Sequence, residues 1–198
     1  MSSNSLRAAA VFFVLVAVGV AGRFLFHDTD QFYRPNFTPT VAVALFAGFY
    51  FRRMSVAMLV PLTVMAISNL WIESYGSWGV MVTVYLALCF PVLLRGLFRH
   101  GGETPVGTGL RIATGVLAPS LVFYLTTNLA VWCFQTYYPP TFAGLVECYY
   151  YALPFYRWFL QGDLLFIPMT FGSYAAVRYL AARSETQAEA SPALTLSR

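Results

Sequence analysis

The feature that most constrains this chain is a series of long apolar runs separated by short polar breaks. A helix needs roughly 20 apolar residues to cross about 30 Å of hydrocarbon, where no water satisfies the backbone. Ala8–Phe26 is one such run, 19 residues interrupted only by Arg23. Thr38–Phe51, Met54–Trp71, Trp78–Phe98, Leu110–Phe134 and Phe159–Ala182 follow it. Charged residues make up 10% of the chain, against about a quarter in a soluble domain. The pattern predicts an all-α membrane protein with six transmembrane helices in a single domain over residues 1–182. The polar, Ala/Ser/Thr-rich segment 183–198 reads as a disordered cytoplasmic tail.

The breaks carry their own signals. Arg23 to Asn36 is a polar connection holding His27, Asp28, Asp30 and Arg34. Asn36-Phe37-Thr38-Pro39 sets a proline near a helix start, where its missing N–H costs nothing. Arg52-Arg53 stops the second run, and Ile72–Ser77 and His100–Gly109 read as loops. Gln135–Trp158 is too polar and proline-broken for a simple span, so it reads as a long outer loop or re-entrant segment between the fifth and sixth helices. Pro168 suggests a kink in the last helix. An alternative for the first run is a signal peptide, because Ala17-Val18-Gly19 loosely resembles a cleavage site.

Charge orients these runs. All 12 basic residues are arginine, and their placement matters more than their sum, so the net charge of +4 is no signal for nucleic acid. Six spans put Arg7, Arg52, Arg53, Arg95, Arg99, Arg111, Arg178, Arg183 and Arg198 on one side and Arg23, Arg34 and Arg157 on the other. The positive-inside rule then places both termini in the cytoplasm.

The stretch Thr126–Asp163 concentrates chemistry in an otherwise oily chain, holding Asn128, Trp132, Glu147, Arg157 and Asp163. Asn36, Asn69, Glu73, Tyr75 and Trp78 fall on the same outer side. Tyr124, Asn128 and Trp132 recur every four residues and line one stripe of the fifth helix. Trp78, Met81, Tyr85 and Cys89 do the same in the fourth, and Asp163, Thr170 and Tyr174 share a face of the sixth. An asparagine within a span costs free energy unless it finds a partner, so Asn69 and Asn128 are expected to face inward. Convergence of these ten residues predicts an outward cavity for a small molecule, with aromatic rings to stack on it and polar groups to bond it. Individually each has a plainer role: an interhelical hydrogen bond for Asn69 or Asn128, an interfacial belt for the tryptophans, a mutual ion pair for Arg157 and Asp163.

Other classes find less support. No HExxH or GxSxG motif, nucleotide-binding glycine loop or CxxC pair is present, so no cofactor or metal is expected. Cys133 and Cys148 both fall on the outer side, where an oxidising compartment allows a disulfide. An intramembrane enzyme or assembly factor acting on lipid or peptide, with Glu147 or Asp163 as the acid–base group, is the alternative function. A structural partner of a larger membrane complex is a third.

Segments Asn36-Phe37-Thr38-Pro39, Thr127-Asn128-Leu129-Ala130-Val131-Trp132 and Ala152-Leu153-Pro154-Phe155 with Gly162-Asp163 resemble those of an uncharacterised family of bacterial integral membrane proteins. The resemblance implies the bacterial cytoplasmic (inner) membrane. More loosely, size and span count are similar to the S components of energy-coupling factor (ECF) vitamin transporters. That likeness implies a vitamin-like ligand taken from outside and a transmembrane coupling subunit driven by ATPases. In such proteins small residues on the first helix meet that subunit, as Ala9, Ala17 and Ala21 would here.

Overall fold

The computed structural model describes residues 3–27, 36–72, 75–99 and 105–195. Among them there is no strand. The helices are α1 (Ser3–His27), α2 (Thr40–Tyr50), α3 (Met54–Ser68), α4 (Trp78–Leu93), a short α5 (Arg95–Arg99), α6 (Pro105–Phe134) and α7 (Phe142–Thr195). Six of these correspond to the six apolar runs.

At the centre lies α2. Its residues Thr40 to Gly48 are all buried, and it packs against α1, α3, α4, α5 and α7. A helix apolar on every side has no face to offer water and is stable only when enclosed. Its sequence, TVAVALFAG, suits that position because small residues let neighbours approach closely. A Cβ on Gly48 would lie 2.7 Å from the Val92 carbonyl oxygen, so α2 and α4 meet there backbone to backbone.

The far end of α2 has carbonyls that no further turn satisfies. Arg99 meets them: its Nε donates to the Phe49 carbonyl at 3.2 Å and its Nη2 to the Gly48 carbonyl at 3.0 Å, with Phe51 O as a third acceptor. Arg95 Nη1 donates to the Arg52 carbonyl at 3.3 Å. Cations at the negative end of the helix dipole add to this bonding. The arginines that count toward orientation in the sequence therefore also tie α5 onto α2.

Contacts between helices set their directions. Gly22 of α1 lies against Pro39, just before α2, and the Phe12 and Phe51 rings meet at 6.4 Å, so α1 and α2 are antiparallel. Gly19 against Val64, and Arg23 bonded to Asn69, make α3 parallel to α1. Gly79 against Phe134 and Gly115 against Phe98 run α6 back along α4. Gly162 against the Thr38 backbone, with Phe171 5.4 Å from Phe46, runs α7 alongside α2. Successive helices thus alternate in direction, and residues 36–39, 69–72, 75–77 and 134–142 gather at one end of the bundle.

Among the described residues four helices are long and apolar enough to cross a membrane: Asn4–Phe26, Trp78–Arg99, Leu110–Phe134 and Phe142–Ser184. The other two apolar helices are shorter than the expected spans. Thr40–Tyr50 has 11 residues and Met54–Ser68 has 15, rises of about 16 and 22 Å against about 30 Å of hydrocarbon. Pro39 precedes α2, and Arg52 and Arg53 separate it from α3.

The expected long loop is also different. Only residues 135–141 are irregular, and Phe142 already begins α7. Pro139-Pro140 breaks the chain there, whereas Pro154 is carried inside the helix. A proline in mid-helix loses one backbone bond, but Ala152, Tyr156 and Phe159 on the same face pack inward and hold the turn. At its other end α7 continues through Thr195, so the segment 183–198 that reads as a tail is helical as far as it is described.

The glycine contacts are testable by thermal unfolding in detergent. Gly48→Ala forces backbone apart and is expected to cost about 1–3 kcal/mol. Gly96→Ala meets nothing within 4 Å and should be neutral or slightly stabilising.

Candidate binding site

A cavity of about 380 Å³ opens within the bundle, at the end where 36–39, Ile72 and Tyr75 gather. It lies over the start of α2, whose first residue Thr40 lines it together with Thr38. The two hydroxyls are 3.0 Å apart and share a hydrogen bond.

Helical spacing builds its walls. From α4 come Val80, Val84 and Leu88, one residue per turn, forming an apolar face. The α6 wall holds Phe123, Tyr124, Thr127, Asn128 and Val131. Thr127 spends its hydroxyl on the Phe123 carbonyl at 2.7 Å, and Asn128 Nδ2 donates to the Tyr124 carbonyl at 2.7 Å. Opposite, α7 contributes Ala152, Phe155, Tyr156 and Phe159. The Phe123 and Phe159 rings stack at 4.4 Å with 13° between planes, and Tyr124 meets Tyr156 at 4.8 Å. These pairs join the two longest helices around the space.

One corner is polar. Arg23 of α1 reaches the cavity, its Nη1 toward Met65 Sδ at 3.0 Å and its Nη2 donating to Asn69 Oδ1 at 3.1 Å. Asn69 Nδ2 donates in turn to the Tyr85 hydroxyl at 3.1 Å. Arg23 Nε is buried without a hydrogen-bond partner among the described residues. Tyr75 lines the cavity beside this corner. Burial pushes its phenol above the ordinary tyrosine range, and the neighbouring Arg23 cation pulls partly the other way.

The structure divides the ten residues singled out from the sequence. Asn36, Tyr75 and Asn128 line the cavity. Asn36 adopts φ of 67°, a left-handed conformation that asparagine tolerates better than most residues. Asn69 stands behind the wall as the link between Arg23 and Tyr85. Glu73 lies outside the described residues.

The remaining five are set apart from the cavity. Trp78 begins α4 and is 78% exposed, although further along its stripe Tyr85 bonds Asn69 and Cys89 is buried; the cavity wall itself is the Val80–Val84–Leu88 face. Trp132 donates its indole N–H to the Pro139 carbonyl at 3.1 Å and so pins the 135–141 loop. Glu147 and Arg157 are exposed on α7. Asp163 is 1% exposed, and its Oδ2 has no hydrogen-bond partner among the described residues. It stands one turn beyond Phe159, beside Gly162 where α7 meets the Thr38 backbone. Glu147 and Asp163 are 16 residues apart on one helix, about 24 Å along its axis, and do not form a pair. All three cysteines are free thiols, and Cys148 Sγ donates to the Asn128 carbonyl at 3.4 Å.

Sequence reasoning overlooked Arg23, the Phe123 ring and the α7 wall. The signal for the wall was present: Ala152, Phe155, Tyr156 and Phe159 follow the i, i+3, i+4, i+7 pattern of one helix face. The two nearby prolines masked it. Arg23 stood out as the single break in the first run, and counting it only toward orientation hid its local role.

Over residues 3–188 the chain matches the model of a family of unknown function, DUF6580. No curated protein and no solved structure matches it.

The Trp132 pin is open to hydrogen exchange. Trp132→Phe keeps the ring and removes the donor, a loss of about 1 kcal/mol. Amides of 135–141 are expected to exchange several-fold faster, with α6 unchanged.

Proposed function

We propose that this chain, which belongs to the DUF6580 family of unknown function, is a multi-pass membrane protein that captures a small organic molecule from the outer side of a bacterial cytoplasmic membrane. The observation that carries the reading is the cavity: about 380 Å³ at one end of an apolar bundle, walled by aromatic rings and cornered by a few polar groups. Ligand sites have that character, a mostly apolar concavity with a small number of fixed polar contacts. Asn36, Tyr75, Tyr124 and Asn128 bond the ligand in this reading, and Phe26, Phe155 and Tyr156 cover its apolar body.

Orientation follows from charge. Arg52, Arg53, Arg95 and Arg99 lie at the bundle end opposite the cavity, which the positive-inside rule assigns to the cytoplasm along with both termini. The mouth then faces outward. A binding protein of this kind needs a second component to move its cargo. We read the chain as the capturing subunit of an importer, with a transmembrane coupling subunit and ATPases in other chains. Ala17 and Ala21 lie exposed on α1 and leave room for a close helix partner there.

Native mass spectrometry of the gently purified full chain tests the binding reading. A co-purified small molecule is expected on the wild type, with occupancy lowered about tenfold in Asn128→Ala, the loss of roughly one buried hydrogen bond. Failure to find any bound molecule, or equal occupancy in Asn128→Ala, counts against the site.

A further inference from the structure

We infer that the molecule taken by this cavity is an organic monocarboxylate whose carboxylate docks on Arg23. The inference rests on the cavity being a binding site and concerns what kind of ligand it selects.

Arg23 is the one charged side chain among the described residues that line the cavity. Its partners among the described residues are neutral, a thioether, an amide oxygen and the Tyr75 hydroxyl, and Nε is buried with no hydrogen-bond partner among those residues. No carboxylate among the described residues meets it. The buried acid on the nearby helix, Asp163, lies outside the lining. A guanidinium has five N–H donors arranged as a planar fork. Taking such a cation out of water without a counter-charge costs several kcal/mol, and an anion placed against the fork recovers it.

The corner is also held in shape. Tyr85 on α4 fixes Asn69, and Asn69 fixes one Nη of Arg23. A held fork loses less freedom on binding than a loose one, which favours a planar, two-point acceptor. One cation balances one negative charge, so a carboxylate matches this corner better than a phosphate dianion. The rest of the molecule meets Phe26, Phe155 and Phe159 with the Val80–Val84–Leu88 face. An aromatic or otherwise apolar body is what those walls accept.

The test uses the purified full chain in detergent and matched pairs of probes: phenylacetate, indole-3-acetate and 2-naphthoate, each against its neutral amide. Isothermal titration is expected to show at least one carboxylate binding tenfold or more tighter than its amide. Arg23→Gln should erase that difference, and Arg23→Lys should keep part of it. The wild-type comparison stands alone if either variant fails to fold. Equal binding of acid and amide, or a preference that survives in Arg23→Gln, overturns the carboxylate inference and leaves the binding site standing. A co-purified molecule that, once released, is not retained on an anion exchanger at pH 8 overturns it likewise. No binding by any probe, with no co-purified molecule on the wild type, overturns both.

Discussion

Enclosure of α2 is the constraint on which the rest of the structure depends. Nine consecutive residues of this helix are buried, so every side of it must be covered by another helix. Helices α1, α3, α4 and α7 with the α5 turn do this, and the α1–α2–α3 order places the first cover directly from the chain. The carbonyls at the helix end would be left without partners in that interior. Arg99 supplies them, which makes a cation on a neighbouring segment part of the core rather than a surface decoration.

The cavity follows from the same element. An 11-residue helix rises about 16 Å, well short of the helices around it. The bundle is therefore filled by α2 over part of its height and by other groups above Thr40. Small hydroxyl residues, Thr38 and Thr40, form the floor, and α6 and α7 close the sides with stacked rings. Polar atoms that would be costly against lipid are collected in this space. Asn69, Tyr85 and Arg23 satisfy one another across three helices. That arrangement leaves a cation at the cavity wall with no carboxylate beside it among the described residues, the physical basis of the proposed anionic ligand.

Much of the fold was legible from residues alone, because a helix that must avoid water announces itself by length and composition. The six apolar helices were readable, as was the crowding of polar and aromatic residues toward one end. Asn36, Tyr75 and Asn128 were readable as lining residues, since polar groups flanking apolar runs have few other places to go. Which face of α4 lines the cavity was not: packing against α2 and α6 put the Val80–Val84–Leu88 face there, leaving Trp78 exposed and Tyr85 bonded to Asn69 behind the wall. The span from Phe142 to Trp158 misled because proline and tyrosine density imitates a loop. Its helix is held by contacts with α6, which local sequence does not display.

Sequence by itself determined the class of molecule, through the free energy of hydration: runs this apolar, with so few charges, are stable only as helices shielded from water. Its arginine distribution also marked which ends of those helices belong together. Tertiary structure alone decided that α2 is a short, enclosed post rather than a lipid-facing span, and that Arg23 enters a cavity instead of an interface. Those outcomes depend on which neighbours fill the space around a residue. No local pattern records that, because the neighbours lie 16 to 140 residues away in the chain.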